Sequence, residues 1–593
     1  MCGIVGILGS DRGAELLDMT EALRHRGPDS QGTVLRPGAR VGATRLRIVD
    51  LKSGDQPLVS TRTGAVLVFN GEIYNYRELR SALTARSHRF ETASDSEVVL
   101  RAYEEYGWRC VEHLRGMYAF AIVNGDRALL ARDPFGIKPL HYCSLDGGRS
   151  LAFASEIKAL LRCRAVPARL NEASLGDLHV FEYIADPRAT LFEGIYSLEP
   201  GCCIEIDLSS SVLTLQRHSF APAVEPLDPL PTLASAEQHL DELLDAAVRS
   251  HQMADVPICL TLSGGLDSTL LGVHLRQQVG SGVVSYVAGD DGGHVDVQQA
   301  ERMARMLGFE HRPLLLNFEQ YLAAMAPAIL ASESFTDCIP QFLLFREIGR
   351  HFRVALNGEG ADELFGGYPE HWWADRYVTR IREAPQSLPL TERGALERDQ
   401  LLAQRGLDGD QWMYDHLLGS QLIDRHLHPL DKVSMSSSVE VRVPFLDYEL
   451  AAYVRKLPMH WRLNRQLGSA KYILRRAFLR RWKAAAAAPG LVEAVLREKR
   501  GFPDARRASD GRFHELCDRV LPNAYLAQHP QRHFLSHKAQ GIWFDLFRFL
   551  FCERRGVLPP DVDVVDFVAE RAQQPRTKVA ALAAALYRPP HRS

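Results

Sequence analysis

A chain of 593 residues requires more than one domain, each long enough to bury a sizeable core. With 46% apolar and 24% charged residues it has the composition of a globular protein, and its net charge of −3 offers no basic excess to attract nucleic acid as a main partner. No apolar run reaches the roughly eighteen residues of a membrane span, and the start MCGIVGILGS lacks the basic and apolar regions of a signal peptide. The ten cysteines form no CxxC pair, which argues against a zinc ribbon or redox motif and for reduced, mostly buried thiols in a cytoplasmic protein.

The second residue is Cys2, followed by Gly3-Ile4-Val5-Gly6-Ile7. Removal of Met1 would give Cys2 a free α-amine beside its thiol. An α-amine with a pKa of about 7.7–8.0 can take the thiol proton near neutrality. Taken alone, Cys2 reads more readily as a structural cysteine at a strand start. Short apolar runs follow at Ala65–Phe69, Tyr118–Val123 and Ala128–Ala131, separated by turn residues, and predict an antiparallel α+β sandwich. Before, between and after them stand Arg24-His25-Arg26-Gly27-Pro28-Asp29, Arg45-Leu46-Arg47, Asn70-Gly71-Glu72-Ile73-Tyr74, Ser94-Asp95-Ser96-Glu97 and Arg132-Asp133-Pro134-Phe135-Gly136-Ile137-Lys138-Pro139. Singly these have plain explanations: Arg45 on a solvated face, Asp95 as a helix N-cap, Asn70-Gly71 as a turn.

In combination and in this order the series resembles the class II glutamine amidotransferase domain of N-terminal-nucleophile enzymes. The resemblance implies that Cys2 attacks a glutamine amide, with the oxyanion held by the Asn70 amide and the Gly71 N–H. It also implies that Arg45 pairs with the substrate carboxylate while Glu72 and Asp95 hold its ammonium. Arg26 to Asp29 would form a loop that shapes the pocket without direct chemistry.

The pattern weakens over residues 209–232, where Ser209-Ser210-Ser211 and a cluster of prolines mark a linker. A first domain over 2–208 and a second over 233–560 are therefore expected, with a C-terminal tail over 561–593. The spacing from Ala234 to His251 predicts a helix. The apolar run Val256–Leu262 predicts a buried parallel strand, and the Gly-rich turn Ser263-Gly264-Gly265-Leu266-Asp267-Ser268-Thr269 leads into a helix. Strand, glycine turn and helix aim backbone N–H groups at an anion, and Ser263, Ser268 and Thr269 add hydroxyls. The Walker lysine is missing, so the loop suits a departing pyrophosphate. Further strands at Val283–Ala288 and Arg353–Leu356 indicate an α/β doubly wound parallel sheet, with a helical C-terminal part beyond it. Glu359, Asp362 and Glu363 then crowd carboxylates into one turn, as a solvated acidic loop or as ligands of Mg²⁺.

The loop resembles that of the ATP pyrophosphatases. With Asp431-Lys432-Val433-Ser434-Met435, Glu440-Val441-Arg442-Val443-Pro444-Phe445-Leu446-Asp447 and Lys471-Tyr472-Ile473-Leu474-Arg475, the second half resembles the synthetase domain of the glutamine-hydrolysing asparagine synthetases. Arg442 and Lys471, read singly, would more often be surface charges. The resemblance implies ATP as substrate with Mg²⁺. It assigns Ser263, Gly264, Gly265, Asp267 and Ser268 to pyrophosphate, and Ala288 and Gly358 to the adenine or ribose side. Glu359 would be the acid needed for acyl-adenylate formation, Lys471 would stabilise charge on the transferring phosphorus, and Asp267 and Asp362 would be the metal ligands. Thr261, Asn357 and Ala361 depart from the best-known members. Thr261 and Asn357 would meet ATP through backbone, whereas Ala361 leaves the acceptor acid open between aspartate and another carboxylate. The implied partners are small molecules, with no nucleic acid and no membrane, and a homodimer is compatible with the sequence.

Overall fold

The computed structural model describes residues 2–10, 12–220, 227–289, 295–368, 374–403, 417–484 and 503–586. Most of the Ala484–Ala488 run, the segment Arg497–Phe502 and the residues from Tyr587 onward lie outside these.

Twelve strands build the first domain: β1 Cys2–Leu8, β2 Ser30–Arg36, β3 Ala39–Arg45, β4 Leu58–Val59, β5 Val66–Ile73, β6 Gly116–Asn124, β7 Arg127–Arg132, β8 His141–Leu145, β9 Ser150–Ala154, β10 Ile195–Ser197, β11 Cys202–Asp207 and β12 Thr214–Ser219. They form two six-stranded sheets, ordered β10-β8-β9-β1-β3-β2 and β12-β11-β7-β6-β5-β4. All named pairings within them are antiparallel. Strand β6 shows why they stack. Ala119, Ala121 and Val123 enter the core between the sheets, while Tyr118, Phe120 and Ile122 face the helices Tyr76–Ala85 and Asp95–Tyr106. That period-two alternation makes β6 buried on both faces, so the architecture is helix, sheet, sheet, helix. Strand β12 lies inside the stretch expected to be linker. Its residues pair with β11 from Thr214↔Asp207 to Ser219↔Cys202, so the first domain continues past residue 208. The strand alternates too little to be seen in sequence because its side chains are largely exposed at a sheet edge.

The second sheet system is parallel: β13 Ile258–Thr261, β14 Val284–Gly289, β15 Glu310–Leu315, β16 Val354–Leu356 and β17 Glu440–Arg442, in the order β15-β14-β13-β16-β17. The sequence pattern marks three of these. It misses β15, a polar edge strand, and β17, which is only three residues long. The chain winds outward from β13 in one direction and returns beside it with β16. The crevice beyond the C-terminal ends of β13 and β16 is therefore the topological switch point, where open α/β sheets bind ligands. The expected tail is not a tail. Helices Val564–Ala572 and Arg576–Leu586 bury Val564, Val568, Ala569, Val579 and Ala583 in the core shared with Trp543 and Phe547.

The domains meet across buried charge. Arg26, expected to do no more than shape a loop, is fully buried and donates from Nε to the Cys2 carbonyl at 3.1 Å. Its Nη1 reaches Glu156 at 2.7 Å and its Nη2 reaches Asp431 of the second domain at 2.8 Å. Lys138 also binds Asp431, at 3.1 Å. Glu333 of the second domain accepts from the backbone of Ile157 and Lys158 and pairs with Lys432 at 2.8 Å. Removing one partner of a buried pair leaves a charge uncompensated, at roughly 3–5 kcal/mol. Arg26→Met is therefore expected to lower unfolding stability by about that amount in denaturant titration, whereas Arg169→Ala, at an exposed pair with Glu193, should leave the midpoint unmoved.

Candidate functional site

Two centres lie on this frame. The first surrounds Cys2, which is buried and sits in register with Arg45 across β1 and β3. The Cys2 backbone N donates to Asn70 Oδ1 at 3.2 Å, and Gln56 Nε2 lies 3.4 Å from the thiol Sγ. Gln56 has no motif to announce it. It is held by the Phe69 backbone, donating to Phe69 O at 3.0 Å and accepting from Phe69 N at 2.6 Å. Burial raises the Cys2 thiol pKa, opposed by the chain's α-amine and Arg45.

Asn70 and Gly71 lie within β5, paired with Ala119 and Tyr118, and not in a turn. With its Oδ1 engaged by Cys2, Asn70 keeps a buried Nδ2 that has no partner among the described residues. A buried amide donor without an acceptor is costly unless a ligand completes it. Gly71 is forced by packing: a Cβ there would sit 2.2 Å from the Met117 carbonyl oxygen and 2.7 Å from Tyr118 Cα. The Arg45 guanidinium donates to the Asp50 carbonyl at 2.7 Å, the Val49 carbonyl at 3.3 Å and Asp55 at 2.8 Å.

Asp95 opens the helix Asp95–Tyr106, but Ser94 supplies the cap. The Asp95 carboxylate instead accepts from Ile73 N at 2.9 Å, which turns it toward Glu72. Burial pushes the Asp95 carboxyl up to about 6. Burial, and then the neighbouring Glu440 and Asp95, push Glu72 well above its ordinary range. Glu72 Oε2 is buried and has no hydrogen-bond partner among the described residues. Arg442, contributed by β17 of the second domain, lies 3.5 Å from Glu72 Oε1. Three buried carboxylates around one guanidinium make a place short of positive charge.

The second centre is a cavity of about 670 Å³ at the switch point. Among the residues assigned to nucleotide, Thr261, Ser263, Gly265, Asp267, Ser268, Ala288, Asn357 and Gly358 line it, with Glu359, Asp362 and Lys471. Gly264 and Thr269 do not. Gly264 has φ +73 and is pressed against the helix Val295–Leu307, where a Cβ would come 2.8 Å from Ala300 N. Thr269 points into the core. The helix after the turn begins at Leu266, so Asp267 lies in its first turn. Thr261 and Asn357 hold each other at 3.0 Å, and Asn357 Oδ1 accepts from Glu359 N at 2.8 Å, which fixes the turn after β16.

Lys471 is buried and takes a left-handed backbone, φ 52, pinned by a bond from its N to the Phe365 carbonyl at 3.1 Å. Its Nζ stands between Asp267 Oδ2 at 2.5 Å and Asp362 Oδ1 at 2.7 Å. Burial lowers its pKa, against the pull of Asp267. Gly367 makes the approach feasible, since a Cβ there would lie 1.9 Å from Asp362 Oδ1 and 2.2 Å from Lys471 Cε. Asp267 Oδ1 is buried with no partner among the described residues. A carboxylate oxygen of that kind beside Asp362 suits a hard divalent cation.

One group at this centre carries no signal in the sequence. His426 lies 3.1 Å from Glu359 through Nδ1 and 3.9 Å from Glu363 through Nε2. Tyr368 donates to Glu363 at 2.7 Å and lies 3.4 Å from the same imidazole nitrogen. Burial opposes the imidazolium, but the two glutamates outweigh it and raise its pKa. Ala361 is fully buried and does not line the cavity. Glu359, His426 and Tyr368 line this part of the cavity, and residue 361 does not.

A family model described as a glutamine amidotransferase domain matches residues 1–217, and one described as asparagine synthase matches 239–541, just over half of the chain. The chain belongs to the asparagine synthase family. Asparagine synthetase [glutamine-hydrolyzing] 1 of Bacillus subtilis (strain 168) is 30% identical, over 85% of this chain and 87% of that one. Asparagine synthetase [glutamine-hydrolyzing] 3 of the same strain is 31% identical, over 80% and 84%, and asparagine synthetase [glutamine-hydrolyzing] 3 of Arabidopsis thaliana is 30% identical, over 81% and 75%. A solved glutamine phosphoribosylpyrophosphate amidotransferase from B. subtilis aligns at a TM-score of 0.28 and 18% identity, over 53% of this chain and 81% of that one. At that level the fold rests on the sheets described above. The first match ends within β12, and so includes a strand that the sequence pattern had left to the linker. The chain is thus an amidotransferase domain joined to a synthetase domain of this family. No described helix is long and apolar enough to cross a membrane.

The crowding of carboxylates at Glu72 has a titration signature. An α-amino acid bringing its ammonium there requires Asp95 ionised, so its affinity should fall as pH drops through about 6. With both carboxyls raised, binding near pH 5 should release at least one proton, and fewer near pH 8 where Asp95 is already ionised. Calorimetry in buffers of different ionisation enthalpy measures that number, and no release near pH 5 would show that the ammonium sits elsewhere.

Proposed function

We propose that this protein makes asparagine from aspartate, glutamine, ATP and water, releasing glutamate, AMP and diphosphate. The observation that carries the proposal is Lys471 Nζ between Asp267 and Asp362 at the switch point, beside a glycine turn and helix N-terminus fit for pyrophosphate.

At the first centre, removal of Met1 frees the Cys2 amine, which takes the thiol proton. Sγ then bonds to the glutamine amide carbon, and the Asn70 Nδ2 donor and Gly71 N–H stabilise the charge that appears on oxygen. Ammonia leaves with the proton, and water cleaves the thioester to glutamate. Arg45 holds the α-carboxylate, while Glu72 and Asp95 hold the ammonium.

At the second centre an aspartate side-chain oxygen bonds to the α-phosphorus of ATP and pyrophosphate departs. The loop residues for that leaving group are Ser263, Gly264, Gly265 and Ser268, with Ala288 and Gly358 on the nucleoside side. Gly264 does not line the cavity, so its part would be to let the loop turn against the helix Val295–Leu307 and aim its neighbours' donors. Asp267 and Asp362 would hold Mg²⁺, which, when bound with ATP, offsets phosphate charge. Lys471 stabilises charge on the transferring phosphorus, and Glu359 serves acyl-adenylate formation. Ammonia from the first centre then bonds to the acyl carbon and AMP leaves.

A second reading, the same chemistry on another carboxylate, draws support from the cavity wall. Leu178, Ile184, Pro187, Ala189 and Leu191 of the first domain extend it with apolar surface beyond the nucleotide residues.

The deciding assay supplies glutamine, ATP and a panel of carboxylic acids, and identifies the amide. Asparagine with AMP and diphosphate is expected. ADP with orthophosphate would sink the adenylation chemistry, and an amide of another acid would favour the second reading. Cys2→Ala should abolish glutamate release while ammonia still supports amide formation, and equal loss of both would contradict two separate centres.

Gly367→Ala offers an independent check. Its Cβ would displace Lys471 from Asp362, so diphosphate release should fall on the order of 10²–10³-fold, as when a transition-state donor is lost, with glutamine hydrolysis retained. Unchanged diphosphate release would remove Lys471 from the chemistry.

A further inference from the structure

Gln56 has no part in the chemistry proposed above, yet its Nε2 donates to the Cys2 thiol at 3.4 Å. The side chain is buried, and the sheet dictates where it stands. Strand β4 pairs with β5 through Leu58↔Leu67 and Val59↔Val66. Carried on past Pro57, which has no N–H to give, that register sets residue 56 opposite Phe69. There the side chain makes the pair that a strand backbone would make. Nε2 donates to Phe69 O at 3.0 Å, and Oε1 accepts from Phe69 N at 2.6 Å.

This double contact decides the orientation of the amide. Oε1 must face the Phe69 N–H, so Nε2 faces the Phe69 carbonyl and its second hydrogen is left for sulfur. The Gln56 backbone is packed closely too, since a Cβ on Gly32 would lie 2.4 Å from its carbonyl oxygen. Phe69 and Asn70 are consecutive in β5, so one stretch of strand holds both ends of Cys2. Asn70 Oδ1 accepts from the Cys2 N at 3.2 Å, and Phe69 aims the Gln56 donor at Sγ.

Once the α-amine has taken the thiol proton, Sγ carries a full charge in a buried place. Burial disfavours that charge and Asp95 adds to the cost, while the α-amine, Arg45 and the Leu46 N–H oppose it. A fixed neutral amide offsets the cost by a hydrogen bond to the charged sulfur. A cation at the same spot would stabilise the thiolate further but blunt its attack, because nucleophilicity falls as the thiol pKa falls. When Sγ bonds to the amide carbon of glutamine, the charge moves to oxygen. The contact from Gln56 then weakens as those from Asn70 Nδ2 and the Gly71 N–H strengthen.

We propose that Gln56 is a further catalytic residue of the first centre: its amide N–H, aimed by the Phe69 backbone, holds the Cys2 sulfur in place and stabilises its thiolate for attack. The inference rests on the glutamine chemistry proposed above, but its test reads the thiol directly.

The test uses the full-length protein with Met1 removed. Alkylation of Cys2 by iodoacetamide is followed across pH through the mass of the N-terminal peptide, which separates it from the other cysteines. The α-amine, Arg45 and Asp95 are the same in every variant, so a difference between profiles belongs to residue 56. Gln56→Met, close in size and without a donor, should move the midpoint up by about one pH unit or more, the worth of a hydrogen bond to a charged group. The less stabilised thiolate is the better nucleophile, so the rate at high pH should at least equal that of the unaltered protein. For the same reason glutamine turnover at pH 7 should fall only about 3-fold, at little-changed KM, and recover as pH rises. Gln56→Glu keeps the acceptor for Phe69 N but turns a carboxylate oxygen toward sulfur, and should move the midpoint further.

A purely structural loss would lower the rate alike at every pH. That result in a variant with a native thermal unfolding midpoint, or an unmoved alkylation midpoint in Gln56→Met, overturns the inference. Should Gln56→Met fail to fold, Gln56→Glu decides by the same criteria. Should both fail, Gln56 serves only the edge of β5, and the inference is again overturned. A shifted midpoint in a protein that releases no glutamate would leave the thiol contact standing and overturn the function proposed above.

Discussion

Everything in this molecule depends on Arg26 being paired. A fully buried guanidinium cannot be left without acceptors, and its acceptors come from different places: the Cys2 carbonyl and Glu156 from the first domain, Asp431 from the second. With the domains joined, Arg26, Lys138 and Asp431 are shut off from water together, so each depends on its partners, and a buried ion left unpaired costs several kcal/mol. The same contact that fixes the domains also fixes the backbone of Cys2. Asp431 belongs to the helix His428–Met435, and the chain runs from that helix directly into β17 and Arg442. The seam therefore sets the position of the nucleophile and of the Glu72 contact from one short stretch of the second domain.

The parallel sheet does the corresponding work for the nucleotide centre. The order β15-β14-β13-β16-β17 opens a crevice between the C-terminal ends of β13 and β16. One side of it receives the glycine turn and Asp267, the other Asn357 to Asp362. Lys471 comes from outside the sheet and closes the gap between the two carboxylates. The close approach of Lys471, Asp362 and Gly367 leaves no room for a side chain at residue 367, so the second glycine of Gly366-Gly367 is a steric requirement of the site.

Much of this was legible in the residues. The β5 and β6 runs, the helix beginning near Ala234 and the strand-turn-helix at Ser263 follow from periodicity and glycine placement, because each is a local pattern. The misses share a physical cause. Strands β12 and β15 lie at sheet edges with exposed side chains, so they lack the alternation that burial imposes. Strand β17 is too short to show a period. Gln56 and His426 act through partners tens of positions away, and nothing in their own neighbourhoods distinguishes them from surface polar residues, while Arg26 and Arg442 stand in motifs that do not tell which distant partners they reach. Asn70-Gly71 shows the opposite failure. A strong local turn signal is overridden by the β5–β6 ladder, and the glycine is needed there for close strand packing.

One cluster beside the nucleotide residues turns on charge balance. Ala361 was the residue that left the acceptor acid open, but it is buried in the core and does not line this cavity. Glu359 and His426 do line it, with Glu363 buried behind the imidazole. The two glutamates raise the pKa of His426 while burial raises that of Glu363, so the charge of the trio is shared among its members and shifts with whatever binds beside it. Glu363 is the buried member, so repulsion is least screened there, whereas Glu359 and His426 are partly open to the cavity. The cavity therefore presents a titratable polar side at these residues and an apolar side from Leu178 to Leu191, and charge and shape act on a ligand from different walls.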